Sequence, residues 1–242
     1  IGSGLVGSEM CIRDRFSSCS ALTSVVLPEN ITGIGKYAFQ STAFTELPLT
    51  ASITEIKDYA FKSCTKLTSV AIPDRVTKLG TYVFQSCTGL ESAKIGGGVT
   101  SVPNYMFHGC TNLVNVELSE KVTSIGNSAF YNCKGLKSLP VTESITSIGT
   151  NAFYGCTSLT SVNLSDKVTS LGASAFYGCS SLTEAVLGTG ITTLGSSLFR
   201  NDAKLKKVVA NGKIASVSTY TFNGCSSLER IYINNTPPTG AS

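Results

Sequence analysis

The stretch AFYGCTSLTSVNL, Ala152 to Leu164, returns almost unchanged as AFYGCSSLTEAVL at residues 175–187. Its phenylalanine belongs to a series of ten that are 23 residues apart, except for one step of 22. Because one such unit cannot bury its own apolar side, ten stacked units predict a solenoid in which each repeat is the floor of the next. The series is Phe16, Phe39, Phe61, Phe84, Phe107, Phe130, Phe153, Phe176, Phe199 and Phe222.

Each repeat is predicted to contain a strand, a tight bend and a helical turn. In LTSVNL, Val162 and Leu164 alternate with polar residues, which predicts a half-buried strand. Gly172 and its equivalents permit a tight bend. The next segment, ASAFYGC, is interpreted as a single helical turn that carries Phe176 inward.

We call the residues at equivalent positions of successive repeats a column. Together, the columns resemble the BspA-like leucine-rich repeats, whose pattern is roughly IGxxAFxxCxxLxxVxIPxxVxxI. The resemblance extends from Phe16 to about Ile233. It implies an α/β repeat, a right-handed leucine-rich-repeat solenoid with a parallel concave β-sheet and short helical turns on the other side. It also implies a surface or secreted, adhesion-like protein. The ligand that we expect is a protein or glycoprotein.

The two ends depart from the repeat. Residues 1–15 fit no column, and the string EMCIRDR resembles a translated sequencing-adaptor remnant. The alternative is a native but divergent capping segment. Residues 16–233 form the predicted ten-repeat solenoid, and residues 234–242, with two prolines, are an expected exit or linker.

The amino-acid composition limits the classes of partner that we expect for the chain. The chain has 242 residues and a net charge of +4 without clusters of Lys and Arg, so nucleic acid is not an expected partner. Apolar runs fall short of the ~20 residues of a membrane span, and no signal peptide is recognised. We expect a monomer without a cofactor.

Eight cysteines lie three residues after a repeat Phe. They form a line without CxxC pairs, which disfavours a metal site. Stacked repeats bring equivalent Cα atoms within disulfide range, but parallel side chains suit the required dihedral poorly. We therefore expect buried free thiols that fill a packing column. Cys110 lies two residues from His108, the sole histidine, but their side chains should point apart, so we expect no catalytic residues.

Two surfaces are candidates for binding. On the concave strand face, small polar residues dominate, and the possible anchors gather at the C-terminal end: Lys206, Lys207, Arg230 and Tyr232. The second candidate is an aromatic stripe, since positions two before and one after the repeat Phe are three residues apart and should share a face. The stripe consists of Tyr37, Tyr59, Tyr82, Tyr105, His108, Tyr131, Tyr154 and Tyr177.

The stripe has two interpretations. Its rings could bind a ligand, or they could seal the Phe column and keep their hydroxyls in water. The leading functional hypothesis is a non-catalytic recognition module, and the alternative is a spacer or stalk that presents another domain.

Overall fold

The computed structural model describes residues 11–12 and 14–233 as a stack of ten coils. We number the coils 1 to 10 by their repeat Phe, from Phe16 to Phe222. The exit segment 234–242 and most of the segment 1–15 lie outside the described residues. Cys11–Ile12 pairs in parallel with Gly33–Ile34, so this dipeptide is part of the hydrogen-bonded stack of coils.

A longer strand follows the Phe in most coils. These strands pair in parallel as two sheets, one of three strands in coils 3 to 5 and one of four strands in coils 7 to 10. We call the side that they form the strand face. Its members are β4 (Ser69–Ile72), β6 (Ser92–Ile95), β8 (Asn115–Leu118), β11 (Ser161–Asn163), β13 (Glu184–Leu187), β15 (Lys207–Ala210) and β17 (Arg230–Ile233).

A two-residue strand precedes the Phe of every coil, and the sequence did not reveal this second ladder. These short strands pair in parallel and in register within three sheets, as in Ser147 with Ser170. They are β1 (Cys11–Ile12), β2 (Gly33–Ile34), β3 (Glu55–Ile56), β5 (Lys78–Leu79), β7 (Ser101–Val102), β9 (Ser124–Ile125), β10 (Ser147–Ile148), β12 (Ser170–Leu171), β14 (Thr193–Leu194) and β16 (Ser216–Val217).

The core follows the sequence columns. Consecutive repeat phenylalanines stack with ring centroids 5.2 to 5.9 Å apart. In β4 the burial alternates, with Val70 and Ile72 inward and Ser69 and Ala71 exposed, as predicted. Most of the apolar surface is thus removed from water between coils, which makes each coil dependent on its neighbours.

The expected helical turn around the Phe is wrong. The segment is a series of tight turns, and the described residues contain one short 3-10 helix, Asp14–Phe16. In coils 2 to 10, two residues have positive φ: the one that lies two positions before the Phe and the one that lies two positions after it. In coil 5 these are Tyr105 at 57° and Gly109 at 76°, and in coil 1 only Ser18 has positive φ. Such residues interrupt a right-handed helix. Their amides instead bond to the next coil, as Gly109 N donates to Tyr131 O at 2.7 Å.

Coils 1, 2 and 6 lack the longer strand, and coil 6 divides the strand face into its two sheets. Segments 45–49 of coil 2 and 137–141 of coil 6 are irregular, and each contains a proline, Pro48 or Pro140, at the same column. Proline has no backbone N–H to donate to a central strand, so the ladder breaks there.

Close packing of the coils predicts that the glycine column tolerates substitution unevenly. A Cβ at Gly172 would overlap the backbone nitrogen of Thr150, whereas a Cβ at Gly195 would meet its nearest atom, the Cα of Ala173, at 3.5 Å. We expect Gly172→Ala to lower the free energy of unfolding by about 1–3 kcal/mol, as overpacking does. Gly195→Ala, the matched control, should change it by less than about 0.5 kcal/mol. Urea unfolding followed by circular dichroism measures both, and equal effects would contradict the proposed coil contact.

Candidate functional site

The predicted aromatic stripe is a row of rings that stack on one another except at one step, where Tyr105 and His108 have centroids 6.0 Å apart and are tilted by 43°. Neighbouring tyrosines in the series Tyr37, Tyr59, Tyr82 and Tyr105, and in the series Tyr131, Tyr154 and Tyr177, have ring centroids 4.3 to 4.9 Å apart. We call this the aromatic ladder. The structure therefore brings together all eight residues of the stripe, and their binding role stays a prediction.

His108 joins the two halves of the aromatic ladder. The ladder changes column in coil 5, where Tyr105 and His108 both occur and a turn bond from His108 N to Tyr105 O spans 3.2 Å. The imidazole lies 4.7 Å from the Tyr131 ring with an angle of 3° between the planes. Burial lowers the pKa of His108, which favours the neutral ring in this stack.

The stacking decides what the aromatic ladder offers to a ligand. Each interior ring covers the faces of its neighbours, so their edges and hydroxyls remain for contact. Burial, followed by the effects of the neighbouring hydroxyls, raises the pKa of Tyr82 and Tyr154. The ladder thus presents a row of hydroxyl groups rather than a platform of open ring faces.

The cysteine column is a packing column. The eight described cysteines on it are free, and six of them are buried: Cys64, Cys87, Cys110, Cys133, Cys156 and Cys179. Each of these six donates its S–H to the carbonyl of the Phe in the preceding coil, at 3.1 to 3.3 Å. Burial raises the pKa of Cys110 to about 12, so its thiol is a poor nucleophile.

The expectation of burial is wrong for two members of the column. Cys19 is exposed and Cys225 is only partly buried. They belong to the first and the last described coils, which lack a full described coil on one side.

Thiol reactivity tests this packing. In the native protein we expect iodoacetamide to alkylate Cys19 fastest and Cys225 more slowly, because alkylation needs an accessible thiolate. The six buried cysteines should react only after denaturation. Peptide mass spectrometry gives the extent of modification at each cysteine, and rapid native labelling of Cys110 or Cys133 would contradict the packing column.

Asp202 occupies the cysteine position of coil 9 and is fully buried. Both carboxylate oxygens lack a hydrogen-bond partner among the described residues. Burial raises the pKa of Asp202 from its ordinary 3.8 to about 8, although backbone amides of Cys179 and Gly178 oppose the rise. The sequence showed the gap in the cysteine column but not this consequence.

The raised pKa makes stability depend on pH. The native state holds the Asp202 proton more tightly than the unfolded chain, so stability falls as pH rises from about 4 to about 8. Asp202→Cys restores the column, and its gain in Tm over the native sequence should grow across this interval. Scanning calorimetry at several pH values measures the gain. Glu229→Gln, a change at an exposed carboxylate, is the control, and a pH-independent gain for Asp202→Cys would refute the explanation.

The predicted anchors lie at the C-terminal end of the strand face. Lys207 pairs in register with Arg230, and Val209 with Tyr232, so Arg230 continues the column of Lys207 and Tyr232 lies in the neighbouring column of the same face. The Lys207 ammonium lies 2.8 Å from a carboxylate oxygen of Glu184. Lys206 is exposed just before β15, and Arg230 is exposed as well.

The structure adds one groove that the sequence did not indicate. It has a volume of about 310 Å³, and its lining includes Lys36, Glu55, Lys57 and Lys78 on the side of the short strands. Lys57 and Glu55 form an ion pair at 3.8 Å. Within the described part of the chain, no three His, Cys, Asp or Glu side chains are grouped to hold a metal ion.

The fold and columns define a parallel β-solenoid of the leucine-rich-repeat class. A family model described as "BspA type Leucine rich repeat region (6 copies)" matches residues 13–114 and 100–229. The chain belongs to this family. A search of curated proteins found no match.

Several solved structures share the architecture. A leucine-rich repeat protein from Bacteroides ovatus ATCC 8483 is 30% identical with a TM-score of 0.83, over 90% of this chain and 56% of that one. The chain thus spans little more than half of that protein.

Two further structures support the fold alone. The T. pallidum leucine-rich repeat protein is 24% identical with a TM-score of 0.54, over 90% of this chain and 78% of that one. The pneumococcal vaccine antigen PcpA is 21% identical with a TM-score of 0.58, over 93% of this chain and 71% of that one.

Proposed function

We propose that this chain is a non-catalytic recognition module of a surface or secreted protein. It binds a protein or glycoprotein ligand through the strand face, in an adhesion-like role. The observation that carries the proposal is the register of β15 and β17, which places Arg230 beside Lys207 and Tyr232 beside Val209, so that the three candidate anchors share one face of the sheet. The surface location is supported by membership of the family.

The residue types of this edge suit recognition. Arg and Tyr are enriched among the residues that dominate binding energy at interfaces. Arg230 is exposed, and its planar guanidinium can bond a carboxylate in bidentate fashion. Glu184 forms an ion pair with Lys207 at 2.8 Å, whereas no acidic side chain among the described residues forms an ion pair with Arg230.

The remaining surfaces support a scaffold without catalysis. The sole histidine is packed in the aromatic ladder, and the buried thiols of the cysteine column donate to backbone carbonyls. Leucine-rich-repeat solenoids are typical binding scaffolds with extended faces. No helix among the described residues is long and apolar enough to cross a bilayer.

A spacer is the second candidate, and one observation favours it. The centre of the strand face carries small or mutually paired side chains, such as Ser161 and the Lys94–Glu117 ion pair at 3.2 Å. This surface has few anchors for a tight ligand. A spacer predicts that the chain has no saturable ligand of its own.

Binding of the whole chain to an array of matrix proteins and glycans tests the recognition hypothesis. We expect saturable binding that the double variant Arg230→Ser, Tyr232→Ser weakens at least about tenfold, as loss of two central anchors does. Lys167→Ser is the matched control, because it removes one exposed positive charge from a turn outside the strand face. It should bind like the native chain.

The other outcomes separate the alternatives. If Tyr131→Phe, Tyr154→Phe and Tyr177→Phe together abolish binding while the strand-face variant retains it, the hydroxyl row of the aromatic ladder is the site. These changes keep the rings and hence the stack. Absence of saturable binding by the native chain would contradict recognition and favour the spacer.

A further inference from the structure

One position of the aromatic ladder is occupied by a cation. Coils 6 to 8 place Tyr131, Tyr154 and Tyr177 directly after the Phe, and coil 9 places Arg200 there. The Cζ atom of Arg200 lies 5.7 Å from the ring centroid of Tyr177 and 5.1 Å from that of Tyr220. The guanidinium thus lies between two tyrosine rings and within cation–π distance of both, which leaves the donors at its edge for a ligand.

The described residues leave a donor of Arg200 without a partner. Its Nε atom is buried and has no hydrogen-bond partner among the described residues. In the same part of the chain, no acidic side chain forms an ion pair with Arg200. A guanidinium stays protonated at all physiological pH values, so this is a permanent, oriented charge with unused donors.

The neighbouring groups are polar side chains rather than open backbone. The Asn201 amide nitrogen donates to the Tyr177 hydroxyl at 2.9 Å, beside the guanidinium. The flanking backbone amides are already used, since Gly178 N donates to Arg200 O and Asn201 N to Asn223 O, both at 2.8 Å. An extended peptide therefore finds no backbone edge here, whereas hydroxyl and amide side chains match the hydroxyls of a sugar.

Charge in this region favours an anion. Residues 180–233 contain six of the 19 Lys and Arg residues but only three of the 15 acidic ones. One of these three is Asp202, which is fully buried. A positive potential around Arg200 raises the local concentration of negatively charged ligands.

We infer that Arg200 is the centre of a binding site for an acidic sugar residue. A carboxylate or sulfate of the sugar accepts two hydrogen bonds from the guanidinium edge, and sugar hydroxyls bond to Asn201 and Tyr177. The site belongs to the aromatic ladder, not to the row of Lys207, Arg230 and Tyr232, and it does not depend on the function proposed for that row.

An NMR titration of the whole chain tests the site. The probes are D-glucuronate and D-glucose 6-sulfate at constant ionic strength, with D-glucose as the neutral control. We expect both acidic sugars to shift the ring resonances of Tyr177 and Tyr220 saturably, and D-glucose to leave them unchanged. Comparison of the two acidic sugars shows whether carboxylate or sulfate binds better.

Two variants locate the binding. Arg200→Tyr completes the aromatic ladder with the residue of the three preceding coils, so the fold is kept while the guanidinium is lost. We expect it to weaken glucuronate binding at least about tenfold. Arg200→Lys keeps the charge but loses the planar pair of donors, and we expect an intermediate loss of about three- to tenfold.

Three results would overturn the inference. Arg200→Tyr could bind glucuronate as tightly as the native chain, which would move the site elsewhere. Acetate could compete as strongly as glucuronate, which would remove the role of the sugar hydroxyls. A short polyglutamate peptide could bind more tightly than either acidic sugar, which would assign the site to acidic peptides.

Discussion

The architecture depends on the two residues of positive φ that flank the inward Phe in coils 2 to 10. They turn the chain sharply, so the Phe enters the core while the amides on either side of it point along the stack. Those amides bond to the next coil and fix the spacing at which rings stack. Tyrosine is an unusual residue at positive φ, and contacts between coils are what offset the strain at Tyr37, Tyr59, Tyr82 and Tyr105.

The same spacing shapes every column of the surface. Where one side chain repeats, it stacks on its own copies, as the tyrosines do. Where a different residue type occupies one position of a column, the side chains of the adjacent coils determine its environment. Asp202 acquires the burial of a cysteine, and Arg200 acquires the two ring faces that tyrosines leave for one another. The chemically distinctive groups of the chain are therefore exceptions to its repeat.

The sequence predicted the stack, the Phe core, the strand face and the alignment of the tyrosines, because all four follow from a period that is visible in the residues. It did not predict the turn around the Phe. Ser63, Gly109 and Asn132 stand at the left-handed position after the Phe, and their residue types are a signal that could have been used. The ladder of two-residue strands is too short to produce an alternating pattern. The position of the Arg200 guanidinium between two tyrosine rings depends on side chains of neighbouring coils, and a linear pattern does not show such contacts.

Pro48 and Pro140 also affect how the solenoid responds to a mechanical load. Within an intact stretch of the strand face, adjacent coils are joined by a row of backbone hydrogen bonds that must be broken together. At the two prolines this row is missing, and neighbouring coils are held there by the Phe stack and the short-strand side. A tensile load along the axis is therefore carried unevenly, and coils 2 and 6 are the places where the stack yields first. A protein under such load would extend in blocks of several coils, and the block from coil 7 to coil 10 would keep Lys207, Arg230 and Tyr232 together.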